Sequence, residues 1–502
     1  MRRPSCVFAL ASLMLALAGG VAMAAERVTV AVTDGPIVGQ RLGEGAVFRG
    51  LPFARPPVGD LRWAPPAAPV PWTTPREALV SGSPCLQRSY GWNAIDAQAS
   101  REDCLYLDIR TPTLKPGARL PVMVMIHGGA NRAGSARGAV DSSLVEQGVV
   151  LVAVQYRLGV FGFLSHPGLT AESGRGASGN YALMDQIAAL QWVRDNIARF
   201  GGDPDNVTIF GHSAGAQDVG LLMVSPLAKG LFAKVIEQSG TAGFGVPVRT
   251  LAENEKLGSD LATAVGVTDL AALRATPGPA LLDAADRLKP PIDDDSFIWL
   301  QAVVDGWVVP KPPAEVLAAS GQQRVPLIVG NSARELTLYG GAGNAAAWVH
   351  ANYGARADRA LALYGLEPGG RTATDTTLGD VSDQIATDIT FRCPASYVAA
   401  RQVVAGQRVW RYQLDVSASG PVHHGSELPF VFDTPPAGST EATWPRLQAY
   451  WANFARTGDP NGPGLAAWPA YGARAEAVAF TASGPKSTTN DRGALCRLLP
   501  RP

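Results

Sequence analysis

The chain has no excess of either charge: its 43 Lys and Arg are matched by 43 Asp and Glu. No single-sign field therefore extends from it, which argues against nucleic acid or an anionic membrane as partner. Cysteine is scarce, with five in 502 residues. None of the five forms a C-x-x-C pair, so no zinc knuckle or dithiol redox site is written here and no metal is expected. Repeats, like-charge blocks and low-complexity tracts are also missing. Long apolar runs are absent except at the start, where Arg2 and Arg3 precede a run from Val7 to Met23 that ends in Ala22-Met23-Ala24-Ala25. A spanning helix needs about 20 apolar residues. This run stops short of that, at small residues suited to cleavage, so residues 1–24 read as a signal peptide. The mature protein is expected to be exported, periplasmic or secreted, with no stable membrane insertion. Once Cys6 leaves with the signal, Cys85, Cys104, Cys393 and Cys496 remain, an even set in an exported chain. Disulfides are expected, and the sequence leaves all three pairings open.

What is present is alternation. Leu120–Ile126 and Val149–Gln155 are continuous apolar runs, the pattern of strands covered on both faces. Val207–Phe210, Val235–Gln238, Val325–Val329 and Val409–Leu414 continue the series. Between the second and third runs, Leu183, Ile187, Leu190, Val193, Ile197 and Phe200 recur at helical spacing, and Gly201-Gly202 follows as a stop. Strands alternating with helices predict an α/β fold, a mostly parallel central sheet with helices on both faces. Residues 25–502 are expected to form one domain, because the motifs below are scattered yet must meet. In such sheets chemistry collects beyond the carboxyl ends of the strands.

The run Val207–Phe210 leads straight into Gly211-His212-Ser213-Ala214-Gly215. This G-x-S-x-G pattern marks a sharp strand-to-helix turn that lifts a serine hydroxyl above the sheet. Serine is a weak nucleophile until a base takes its proton, and histidine suits that task near neutral pH. The chain has six histidines, so the base is sought by elimination. Nucleophile, acid, base is the chain order for this turn, which removes His127 and His166. His212 cannot curl back onto its neighbour, and His350 lies in an Ala-rich helical stretch. Of His423 and His424, the latter is favoured because Gly425 lets the chain turn directly after it. Glu335, just past Val325–Val329, is the candidate acid, with Asp305 and Asp388 as rivals. His127-Gly128-Gly129-Ala130 follows a strand and is small enough to bring backbone N–H groups to an oxyanion. Gly129, Ala130 and Ala214 are the expected donors.

These residues resemble the type-B carboxylesterase and cholinesterase family. The stretch Phe200–Gly215 (FGGDPDNVTIFGHSAG) carries most of the likeness, joined by Glu102–Leu107 (EDCLYL). Phe48–Trp63, Gln155–Leu164 and Tyr450–Gly462 add to it, so the similarity covers nearly all of the mature chain. The resemblance implies an α/β-hydrolase fold, no cofactor, and hydrolysis of small carboxylic esters through an acyl-enzyme on Ser213. It also implies the pairs Cys85–Cys104 and Cys393–Cys496. Two further functions fit the scaffold: a non-catalytic binding module, and an amidase or carbamate hydrolase using the same groups. Three positions depart from the family pattern. Arg334-Glu335-Leu336 stands where D-E-G is usual. His212 replaces a glutamate common before the serine, which argues against choline esters. Asn131-Arg132 replaces an aromatic after the oxyanion loop. Asn131, Arg132 and His212 are therefore candidate pocket residues, and a polar, positive mouth suits an acidic or hydroxylated acyl portion.

Overall fold

The apolar runs become the interior strands of one large sheet in the computed structural model. Residues 26–242, 249–288, 302–338, 340–372, 374–440, 443–489 and 492–500 are described. The proposed signal peptide lies outside them. In chain order the strands are β1 (Arg27–Val32), β2 (Gly35–Leu42), β3 (Gly45–Pro52), β4 (Tyr106–Thr111), β5 (Leu120–Ile126) and β6 (Val150–Val154). They continue as β7 (Gly202–His212), β8 (Lys234–Gln238), β9 (Leu327–Ser332), β10 (Val409–Leu414), β11 (Glu476–Thr481) and β12 (Gly484–Thr489). Their spatial order is β1-β2-β3-β4-β6-β5-β7-β8-β9-β10-β11-β12, with the short strand Arg76–Glu77 beside β2. From β6 to β11 all neighbours are parallel, and the flanking strands pair antiparallel except for the short Arg76–Glu77 strand, which is parallel to β2. This is the α/β-hydrolase fold, and the parallel centre carries every strand from which the candidate site is built.

Side chains alternate across the sheet, so successive residues enter different cores. Val122, Val124, Ile126, Ile209, Val235, Leu327 and Val329 pack into one layer, while Met123, Phe210, Ile236 and Ile328 enter the other. The helices α1 (Tyr181–Asn196) and α2 (Ala214–Val224) cover the first face. Helix α4 (Leu447–Thr457) covers the second, beside an edge-to-face cluster of Tyr412, Trp451, Trp468 and Phe480. Both layers are needed because strands such as β6 are buried along their whole length.

Some boundaries differ from expectation, for local reasons. The helix read over 180–200 is α-helical to Asn196 and tightens to a 3-10 turn over Ile197–Phe200 before Gly201, whose φ is 77°. The run Val325–Val329 starts its ladder later, at Leu327, because Pro326 has no N–H to give. It then extends through the polar pair Asn331 and Ser332, which lie opposite Gln413 and Leu414 of β10. Cys85 is bonded to Cys104, and Cys393 to Cys496. The first bridge closes a sequence separation of 19 and the second one of 103, the latter tying helix α3 (Cys393–Val404) to the C-terminal helix Gly493–Leu498. Loop-closure entropy gives these about 3 and about 5 kcal/mol respectively. Among the described residues no helix is long and apolar enough to cross a membrane.

Candidate active site

Ser213 stands alone between β7 and α2, with φ 59° and ψ −127°, a conformation that side chains rarely adopt. Its neighbours hold it there. The Ser213 N–H donates to Gln238 O at 2.8 Å. A Cβ on Gly211 would lie 2.5 Å from the Gly215 carbonyl, and one on Gly215 would lie 2.2 Å from Ile126 O. Both glycines of the motif are thus steric requirements of the turn. Ala214 opens the helix, where a backbone N–H has no acceptor one turn back and remains available to an anion.

His424 arrives on the loop after β10, and its Nε2 lies 2.8 Å from Ser213 Oγ. Its Nδ1 lies 2.6 Å from Glu335 Oε2. Nδ1 therefore carries the proton toward the carboxylate and leaves Nε2 to accept one from the serine. Glu335 follows β9 by three residues and is buried. Its Oε1 accepts the Ser332 N–H at 2.7 Å, and its own N–H donates to Thr387 Oγ1 at 3.0 Å. The backbone repeats the link, with His424 N–H donating to Glu335 O at 3.1 Å. Burial presses the His424 pKa down, but the Glu335 hydrogen bond and the charges of Glu335 and Glu427 together raise it above the ordinary histidine value.

The alternatives lie elsewhere. His423 is exposed, its Nδ1 turned to Pro421 O at 3.0 Å. Asp305 accepts the backbone N–H groups of Trp307 and Val309, and Asp388 pairs with Arg392 and Arg492. Arg334 pairs with Asp383 at 2.9 Å rather than with Glu335.

The expected oxyanion loop packs against the nucleophile. A Cβ on Gly128 would meet His212 O at 2.5 Å and Ser213 Cβ at 3.1 Å, so only glycine allows this approach. Gly129 has φ 114°, and Ala130 and Asn131 follow at 55° and 52°. His127 is buried under this loop and stacks on Tyr156 with ring centroids 4.4 Å apart. Burial lowers its pKa to about 4, which leaves it neutral.

One expectation about the pocket needs correction. Asn131 does not face the mouth: it is fully buried, with Nδ2 donating to Asp218 Oδ1 at 3.0 Å, because the left-handed turn points its side chain inward. His212, also expected at the pocket, is buried beside the proposed base, its ring 4.6 Å from that of His424 and its Nε2 3.9 Å from Glu427 Oε1. Burial and the neighbouring His424 hold His212 well below the ordinary histidine pKa. Arg132 is half-buried, with its guanidinium 4.1 Å over the Tyr90 ring. Glu427 was not anticipated from the sequence. It is fully buried, accepts Ser239 Oγ at 2.7 Å and Ser332 Oγ at 3.3 Å, and adds its charge to His424. Its own pKa is raised, by burial first and by Glu335 second. Its place three residues after His424 was the available signal.

Serine, imidazole and carboxylate thus stand in line beyond the carboxyl ends of β7, β10 and β9, which defines the class as a serine hydrolase of the α/β-hydrolase fold. Residues 26–496 match the carboxylesterase family, and the chain belongs to that family. It is similar to a fumonisin B1 esterase of Sphingopyxis macrogoltabida, 33% identical over 90% of this chain and 87% of that one. It is also 34% identical to carboxylesterase 1D of Mus musculus, over 85% of this chain and 83% of the relative. Among solved structures a PNB esterase superposes with a TM-score of 0.79 at 30% identity, covering 94% of this chain and 99% of that chain. The protein is a carboxylic ester hydrolase.

Proposed function

We propose that ester hydrolysis runs by two-step acyl transfer on Ser213. Ser213 Oγ attacks the ester carbonyl carbon as its proton passes to His424 Nε2. The N–H groups of Gly129, Ala130 and Ala214 receive the oxyanion. The tetrahedral adduct collapses, the C–O bond to the alcohol breaks, and His424 returns the proton to the leaving alcohol. Water then attacks the acyl carbon as His424 takes its proton; the bond from that carbon to Ser213 Oγ breaks, His424 returns the proton to Oγ, and the acid departs. Glu335 holds the ring in the working tautomer and stabilises imidazolium. One observation carries this reading: the unbroken chain from Ser213 Oγ through His424 to Glu335, with contacts of 2.8 and 2.6 Å.

Ser213→Ala is expected to abolish turnover of short p-nitrophenyl esters and labelling by a fluorophosphonate, with the thermal transition unchanged. Turnover above a few per cent of wild type would remove Ser213 from the role. Paired ester and amide substrates separate this reading from amidase chemistry. The signal peptide belongs to the same proposal and is supported by the two disulfides, which persist in oxidising compartments. The exported protein is expected to begin at Ala25, as its intact mass would report.

A further inference from the structure

The oxyanion loop contains two successive left-handed residues that are not glycine, Ala130 at φ 55° and Asn131 at φ 52°. Residues with a Cβ stay in this region only when their surroundings over-determine it. Asn131 is gripped at both ends. Its carbonyl accepts the Gly159 N–H at 2.6 Å, and its side-chain Nδ2 donates to Asp218 Oδ1 at 3.0 Å. Asp218 lies on α2, the helix that begins with Ala214 directly after Ser213. Its other oxygen accepts Gln186 Nε2 at 2.6 Å, from α1. Asp218, Asn131 and Gln186 are all fully buried.

A buried carboxylate is a poor choice for packing, because desolvation disfavours its charged form. Burial indeed raises Asp218 to about 7, while the Gln186 and Asn131 hydrogen bonds pull it back. Its partners give it a use. One rigid helix presents both Ala214, a proposed oxyanion donor, and Asp218, which holds the loop bearing Gly129 and Ala130. A second contact converges on the same loop, as Tyr156 OH donates to His127 O.

We propose that Asp218 is a positioning residue for ester hydrolysis: by clamping Asn131 from the nucleophile helix it sets the spacing between the two halves of the oxyanion hole. This rests on the roles given above to Ser213 and the oxyanion loop.

The test uses the whole purified protein, p-nitrophenyl butyrate, and a trifluoromethyl ketone that mimics the tetrahedral adduct on Ser213. Asp218→Ala is expected to lower kcat by about 10²-fold, the scale of one lost oxyanion donor, with KM within about twofold. Ketone affinity should fall in parallel with kcat/KM, while inhibition by butyrate, the product acid, changes little. The exchange Asn131→Asp with Asp218→Asn rebuilds the bond with donor and acceptor reversed, since the new amide can still accept from Gln186. It should recover at least tenfold of the lost kcat. Should Asp218→Ala fail to fold, Asn131→Ala carries the same expectations. An unchanged kcat and ketone affinity would overturn the proposal, as would equal losses of ketone and product binding, the mark of a merely structural role. Activity surviving in Ser213→Ala would instead overturn the reading of the site beneath it.

Discussion

Ser213 is held by residues close to it in sequence and by the strand beside it, whereas His424 is held by a partner 89 positions away. At the nucleophile turn the agents are steric: missing Cβ atoms at Gly211 and Gly215, and a helix that starts at the next residue. At the acid–base pair the agents are polar and buried. Glu335 is fixed by Ser332 and Thr387, His424 by Glu335, and a second buried carboxylate, Glu427, sits close enough to raise the imidazole pKa. A site assembled this way has one half shaped by excluded volume and one half tuned by charge. The two halves should therefore fail differently.

The largest expected effect tests the charged half. Glu335→Gln should cost about 10⁴ in kcat, because the ring loses its working tautomer. It also removes the main group that raises the His424 pKa. In the proposed mechanism neutral His424 is the active form, so kcat/KM is expected to fall as pH drops through its pKa, which in the wild type lies above the ordinary 6.5. The acid limb should move to lower pH in the variant, and a limb that stays in place would break the comparison. The steric half is tested by Gly128→Ala, whose new Cβ would meet backbone at 2.5 Å. It should lower kcat by about 10²–10³ through a displaced oxyanion loop, with the acid limb unmoved. A shifted limb there would mean that the halves are not separate. Smallest is Glu427→Gln, for which less than a tenfold loss in kcat is expected. A slight downward move of the same limb should accompany it, read from a pH profile of kcat/KM.

The halves also differed in how far they could be read beforehand. The turn around Ser213 was legible because its pattern lies within five consecutive residues after an apolar strand. That Glu335 and His424 would meet Ser213 could be anticipated from the place of Glu335 after a strand and from the few histidines in the chain. Glu427, Asp218 and the inward Asn131 were not legible. Asp218 and Asn131 owe their roles to each other across distant segments. Glu427, though close to His424 in sequence, is held by Ser239 and Ser332 from other strands' ends. An isolated Glu, Asp or Asn looks the same in a loop, on a helix or at a surface.

The order of apolar runs and the two glycines beside Ser213 determined by themselves that a parallel sheet would form with a sharp turn above it, since local sterics and side-chain periodicity act along the chain. The fold in three dimensions decided which carboxylates reach His424 and which way Asn131 faces. Hydrogen bonds and desolvation act through space, and they depend on segments that meet only once the sheet has closed its neighbours around them.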